Sequence, residues 1–396
     1  MKVLVCGGAG YIGTQFVRCL LRRTQHSVII VDSLEATHGD ASHVDTEENW
    51  KKKQINSKLG DGDTAGKRFA LLEVGDVRNE EFLNGVFTKH GPIDAVVHMC
   101  GYIAVGESTQ DPLMYYDNNV IGMIRLLQTM RRHGCDKLIL SSSAALFGNV
   151  LQNLERNTNA PDTGKHAPIV PIMPDAARKP ESPYGRTKYV DEMMLEDCAT
   201  AYGIKSVCLR YFNACGADEE GDIGETHDPE THLIPLILQV PLADQINAYN
   251  AKHHPERRQA RSYISVFGTD YDTPDGTCIR DYVHVFDLSM AHIQALDYLA
   301  SLKPEDKNKF FLALNLGTAK GNSVLEVIEA ARRVTGHPIP IKEEPRREGD
   351  PPVLVASGEA AKEILGWKPE YDTIDKIIAS AWRFHSKHVM GYEKID

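Results

Sequence analysis

No stretch of this sequence approaches the ~20 consecutive apolar residues needed to span a bilayer, and it holds no internal repeat and no low-complexity segment. The eight cysteines include no C-x-x-C pair, and Cys6, Cys100 and Cys208 sit in apolar runs. That usage predicts reduced, mostly buried thiols in a cytosol-like compartment. Positive charge is in deficit: 44 Lys and Arg against 55 Asp and Glu leave a formal net charge of -11. Nucleic acid and anionic membrane are therefore poor candidates for the main partner. A phosphorylated ligand would need a local cluster of arginines. The first residues lead directly into a short strand-like run and a glycine motif, without the longer apolar segment of a signal peptide. The last three, Lys394-Ile395-Asp396, form no peroxisomal address. A cytoplasmic protein is expected.

What is present is ordinary globular material: 396 residues, 42% hydrophobic and 25% charged, long enough for a large core and two domains. Apolar, β-branched runs at Val3 to Cys6, Val28 to Val31, Phe69 to Val74, Ala95 to His98, Lys137 to Leu140 and Lys205 to Tyr211 read as strands. Helical patterns lie between them at Phe16 to Arg23, Glu80 to Lys89, Leu113 to Arg132 and Pro183 to Tyr202. Repeated βαβ units predict an α/β fold, a doubly wound Rossmann-type parallel sheet, over residues 1–212. From 213 to 396 the pattern is irregular, with short strands at Ile264 to Phe267, Ile279 to Val285 and Leu312 to Leu316 and a capping box opening Ser323 to Val334. This half reads as a smaller α+β substrate domain, some of whose elements return to the first. Residues 38–68, 149–178 and 244–261 look like surface insertions. The last carries a basic run, His253 to Arg258, read as a solvated loop in preference to a binding patch.

Gly7, Gly10 and Gly13 form G-x-x-G-x-x-G between the first strand and the first helix. Such a turn lets a backbone approach a pyrophosphate closely at a helix N-terminus. Asp32 ends the second strand, nineteen positions after Gly13. An acid there accepts hydrogen bonds from the adenosine ribose and repels a 2′-phosphate, which favours NAD over NADP. Asp76, just after the third strand, is within reach of an adenine amino group or is a turn residue.

Tyr184 and Lys188 form Y-x-x-x-K at the start of a helix, so both share one face. A phenol ordinarily titrates near ~10; a neighbouring ammonium and a positive nicotinamide both favour the phenolate. Ser143 closes a serine run at the C-terminal end of the fifth strand, where residues face the ligand crevice. It can donate to a reacting oxygen and relay its proton to Tyr184.

Fingerprint, aspartate, serine and Y-x-x-x-K together resemble the extended short-chain dehydrogenase/reductases, and within them the family of UDP-glucose 4-epimerases. The resemblance runs along nearly the whole chain. It is carried by Ala104-Val105-Gly106-Glu107-Ser108, Tyr115-Tyr116-Asp117-Asn118-Asn119, Ser182-Pro183-Tyr184-Gly185, Leu209-Arg210-Tyr211-Phe212-Asn213, Ile279 to Val285, Gly321-Asn322-Ser323-Val324 and Pro345 to Asp350. It implies Tyr184 as catalytic base, Lys188 as its partner and Ser143 as proton relay. It implies NAD held by Gly7, Gly10, Tyr11, Ile12, Gly13, Asp32, Ser33, Leu34, Asp76, Val77, Met99, Cys100, Gly101, Asn118 and Phe212 besides the catalytic three. It implies a UDP-sugar held by Asn213, His232, Leu233, Val266, Phe267, Arg280, Tyr282, Val324, Arg347, Asp350 and Leu354. Arginine suits a diphosphate. No metal is expected.

The chain departs from the family pattern in places. Ile103 stands for a lysine, Ala145 for a threonine, and His232 for an asparagine near the uridine. Leu354 is intermediate in size at a position whose bulk gates N-acetylated sugars, and a preference for non-acetylated ones is expected. The implied reaction is interconversion of UDP-glucose and UDP-galactose through a 4-keto sugar, in a homodimer paired through Leu113 to Arg132 and Pro183 to Tyr202. A 4,6-dehydratase or a decarboxylase would need an acid after the serine, where Ala144 and Ala145 stand. A non-catalytic NAD-binding scaffold is the rival of another class.

Overall fold

The computed structural model of the chain describes residues 1–35, 41–49, 68–148, 171–227, 229–257, 259–347 and 350–393. Most of the first two insertions thus lies outside the described residues. Seven parallel strands form the central sheet: β1 Lys2–Cys6, β2 Ser27–Asp32, β3 Leu71–Val74, β4 Ala95–His98, β5 Lys137–Ser143, β6 Lys205–Tyr211 and β7 Phe311–Leu316. Their order is β7-β6-β5-β4-β1-β2-β3. The order reverses between β1 and β4, and this switch point opens a crevice at the carboxyl ends of the strands.

The sheet is covered on both faces, as a continuous apolar strand requires. On one face Val3, Val5 and Ile139 pack with Phe16 and Leu20 of helix Tyr11–Arg23 and Leu288 and Leu296 of helix Val285–Ser301. On the other, Leu4, Val96 and Leu140 pack with Leu83 and Phe87 of helix Glu80–His90, Met123 and Met130 of helix Gly122–Arg132, and Leu195 of helix Pro183–Tyr202. A third core, with Ile234, Val266, Val327 and Ile377, lies in the C-terminal half.

The strand read at Leu312 to Leu316 is an element of the C-terminal half that joins the main sheet: it is part of β7, paired with β6 from Phe311–Ser206 to Leu316–Tyr211. Two expectations are corrected. The helix read as continuous from Leu113 to Arg132 is helix Pro112–Tyr115, a π-helical turn Tyr116–Ile121 and helix Gly122–Arg132. Periodicity is blind to one wider turn, and such turns gather at functional sites. The strand read at Ile279 to Val285 is two short strands, Ile279–Arg280 and Tyr282–His284, in different small sheets. Between them Asp281, fully buried, accepts from the Thr318 hydroxyl at 2.7 Å and the Ala356 N–H at 3.0 Å.

Candidate active site

The glycine turn is built by steric necessity. Gly7 has φ +83°, and a Cβ there would lie 2.6 Å from the Cys100 nitrogen; one on Gly13 would lie 2.1 Å from the Gly7 carbonyl oxygen. Gly10 differs: a Cβ there would meet only the Gly7 oxygen, at 3.6 Å. Packing does not forbid a side chain at Gly10, so its absence keeps the start of helix Tyr11–Arg23 bare, and no side chain caps that start. A bare helix N-terminus is an anion site. Asp32 spans the turn, accepting from the Ala9 N–H at 2.9 Å and the Leu34 N–H at 2.8 Å. These residues fit a dinucleotide: open amides for the pyrophosphate and an oriented carboxylate for the ribose.

The other expected cofactor residues are less uniform. Met99, Cys100 and Gly101 follow β4 and crowd the glycine turn from below. Ile12 is partly buried on the first helical turn, and Ser33 is exposed just past β2. Asp76 is gripped by Arg78, with its oxygens 2.6–3.1 Å from the guanidinium nitrogens, and Arg78 also reaches Asp117 at 2.7 Å. The Val77 side chain belongs to the core, which leaves only its main chain for a ligand. Asn118 donates to Asn119 Oδ1 at 3.0 Å within the π turn. Phe212 packs against the buried cluster of Leu146, Phe147 and Ile172.

Helix Pro183–Tyr202 starts where its sequence says it must: Ser182 caps the Gly185 N–H, Pro183 takes the first position, and Gly203 closes the far end at φ +72°. Tyr184 and Lys188 are both buried in it. The Lys188 ammonium donates to the Ser141 carbonyl at 3.0 Å, and a Cβ on Gly101 would lie 3.5 Å from it. The first turn of the helix presses on the residues after β5, for a Cβ on Gly185 would lie 2.4 Å from the Ala145 oxygen. Ser143 Oγ accepts the Ala145 N–H at 3.2 Å, which leaves its own proton to donate. Burial, then the charge of Lys188, holds His98 down at about 3, so that imidazole is neutral.

Sequence reasoning missed four supporting groups. Asn119 donates to Thr187 Oγ1 at 3.0 Å and to the Tyr102 carbonyl at 3.1 Å, while the Thr187 hydroxyl donates to the Tyr184 carbonyl at 2.8 Å. This ties the loop after β4 to the catalytic helix; the Asn118-Asn119 pair was the available signal. Glu192 accepts from Ser142 and receives the buried Arg210 in two hydrogen bonds. Asp191 is buried with both carboxylate oxygens lacking a hydrogen-bond partner, and burial pushes its pKa up to about 8 against the pull of Lys188. Nothing in a linear pattern marks it.

A cavity of about 1240 Å³ opens from Tyr11 into the C-terminal half. Asn213, His232, Leu233, Phe267, Arg280, Tyr282, Val324, Arg347 and Asp350 line it. Val266 sits in the core instead, because β-strand alternation turns it away from Phe267. Leu354 packs against the buried cluster of Leu146, Phe147 and Ile172. The Arg280 guanidinium reaches Asp350 at 3.2 Å and the Pro351 carbonyl at 2.8 Å, and that of Arg347 lies 3.9 Å from the centre of the Phe267 ring. The reading of His253 to Arg258, within the insertion 244–261, as a solvated loop is corrected. Helix Ala243–His253 occupies most of that insertion, and His254, Arg257 and Arg261 line the cavity.

The sequence profile of the NAD dependent epimerase/dehydratase family matches residues 3–308. The chain belongs to that family. UDP-glucose 4-epimerase of Streptococcus mutans serotype c is 41% identical over 396 residues, covering all of both chains. The crystal structure of UDP-glucose-4-epimerase from Stenotrophomonas maltophila with NAD and formylated UDP-arabinopyranose superposes with a TM-score of 0.78 at 33% identity, covering 98% of this chain and 99% of that one. That of the Bifidobacterium longum enzyme with NAD⁺ and UDP has a TM-score of 0.75 at 32% identity, covering 99% of this chain and 100% of that one. Members of this family work with NAD, and the bare amides and Asp32 fit it. No helix among the described residues is long and apolar enough to cross a membrane.

Proposed function

We propose that the chain inverts C4 of UDP-glucose and UDP-galactose. The observation that carries this reading is that the arginine-lined cavity begins at the glycine turn, on Ala9, Gly10 and Tyr11. The Tyr184–Lys188 helix abuts the end of β5. Bound NAD supplies the redox chemistry, taking a hydride from the sugar C4 and returning it to the opposite face. Tyr184 removes the proton of the 4-hydroxyl, and Ser143 donates to the same oxygen. Lys188, four residues further along the same helix, puts a positive charge on that face of the site. Arg280 and Arg347 hold the diphosphate while the 4-keto ring turns over, so binding remote from the reacting carbon keeps the intermediate in place. Asn213, Leu233, Phe267, Tyr282, Val324 and Asp350 complete this pocket, and Leu354 against the cluster of Leu146, Phe147 and Ile172 supports a preference for non-acetylated sugars.

The test is conversion of UDP-galactose by purified enzyme without added cofactor, with UDP-N-acetylglucosamine as comparison substrate. UDP-glucose should accumulate; absence of product, or a 4,6-dehydrated sugar, overturns the reading. Arg347→Ala should weaken UDP by the worth of a charged hydrogen bond, about 1.5–3 kcal/mol, and leave NAD bound. Unchanged UDP affinity in calorimetry counts against the clamp.

A homodimer is part of the proposal. Helices Gly122–Arg132 and Pro183–Tyr202 present a shared groove lined by Ile124, Leu127, Met194 and Cys198, and Met193 and Tyr202 are exposed nearby. Sedimentation should give the dimer mass at micromolar concentration; monomer alone would exclude it. The eight cysteines, all unpaired, support a cytoplasmic location.

A further inference from the structure

The segment that leads into helix Leu233–Gln239 gathers two carboxylates and two imidazoles at one point of the cavity wall. His232 Nδ1 lies 2.8 Å from Glu225 and 3.4 Å from Glu230; His227 Nδ1 lies 3.6 Å from Glu225 and 3.5 Å from Glu230. One donor atom from each residue falls within 4.8 Å of all the others. A tetrahedron with ligand bonds of about 2.0–2.2 Å has edges of roughly 3.3–3.6 Å. Three of these four separations, 3.4–3.6 Å, match such an edge, the two to Glu230 falling on different oxygens of its carboxylate. The two rings are 5.1 Å apart at 62°, edge to face and not stacked.

Two further features point to a ligand. His227 Nδ1 is buried and has no hydrogen-bond partner, although it is aimed between two carboxylates. Glu230 is fixed in place by the N–H groups of Thr231 and His232, each at 2.8 Å, the kind of support that orients metal ligands. No lysine or arginine among the described residues pairs with Glu225 or Glu230. The other acidic group of this molecule, Asp218, Glu220 and Asp222, is different: Arg18 pairs with all three.

We propose that Glu225, His227, Glu230 and His232 form a binding site for a divalent metal ion of the zinc class. Two carboxylates balance the charge of the ion. Imidazole nitrogen selects zinc and its neighbours over magnesium and calcium, which take oxygen alone. The ion would staple residue 225 to residue 232, immediately before Leu233, and so set the cavity wall opposite the arginines. The His232 ring would be held through Nδ1, with Nε2 left for the cavity. Sequence alone hid the site because Glu225 and the H-x-x-E-x-H run sit in a loop without helical spacing.

The experiment is titration of the chelator-treated, NAD-bound enzyme with Zn²⁺ against a chromophoric competitor, with X-ray absorption on the loaded protein. One equivalent should bind, with four nitrogen or oxygen neighbours at about 2.0–2.2 Å. His227→Ala and, separately, the more exposed His232→Ala should each weaken binding at least about tenfold, the smallest loss seen for groups that merely support ligands. His337→Ala, at an exposed histidine elsewhere, should change nothing. Circular dichroism and retained NAD identify the folded variant to be read. No stoichiometric binding, or binding unaltered in the folded histidine variants, overturns the site. Either result leaves the epimerase assay unaffected as a separate test.

Discussion

Tyr184→Phe is expected to lower turnover of UDP-galactose by about 10²–10⁴-fold, the usual contribution of a general acid–base group, while the protein stays folded with NAD bound. The substitution removes one oxygen from a ring that is 8% exposed and leaves every apolar contact of that ring in place. The hydrogen bonds that position this turn do not use the phenol. The Thr187 hydroxyl donates to the Tyr184 main chain, Ser182 caps Gly185, and Lys188 donates to Ser141. Loss of activity would therefore report the proton transfer itself. Phenylalanine also separates the roles of the helix, for a structural defect would release NAD, whereas loss of the base would not. Steady-state kinetics together with the absorbance of bound cofactor decides. Turnover near the wild-type value removes Tyr184 from the mechanism.

The parts of this site that could be read in advance are those whose signal is local. Helix Pro183–Tyr202 was delimited at both ends because a serine cap, a first-position proline and a terminal glycine are short-range chemistry. Ala95–His98 is legible because a parallel strand buried on both faces shows an apolar run, and Val207 to Leu209 give the same signal inside Lys205–Tyr211. The capping box at Ser323 and Glu326 is present for the same reason. What stayed illegible depends on partners far away in the chain. β7 reads like any short strand until β6, about a hundred residues earlier, is beside it. The π turn shows only through Asn119, whose partners Tyr102 and Thr187 come from two other segments. The basic run near His254 looked like a solvated loop because its environment, the cavity and the tail residue Glu393 at 2.5 Å from Arg257, is supplied by the fold. The four residues of the candidate metal site were visible as letters. Their convergence was not.

Glu192→Ala should destabilise the protein by about 3–5 kcal/mol, the cost of leaving half of a buried ion pair behind. The carboxylate is fully buried on the helix that carries Tyr184 and Lys188, and Arg210 on β6 is 1% exposed. Two parallel hydrogen bonds join them at 2.8 and 2.6 Å, and the Ser142 hydroxyl adds a third to the carboxylate at 2.7 Å. Removing the glutamate strands a guanidinium with the Pro174 carbonyl at 2.7 Å and the Phe147 ring at 5.2 Å. Neither carries a negative charge. Glu192→Gln keeps the shape and an acceptor but not the charge, and should fall between wild type and alanine. Replacing both partners, Glu192→Leu with Arg210→Met, should recover much of the loss, because an apolar pair has no desolvation to offset. Unfolding in denaturant, followed for all four proteins, orders them. A loss under about 1 kcal/mol for the alanine variant would mean that water solvates the Arg210 guanidinium, since Arg178, 3.7 Å from the same carboxylate, carries the same charge and cannot replace it. It would then follow that Arg210 does not depend on Glu192 to hold β6 against the catalytic helix.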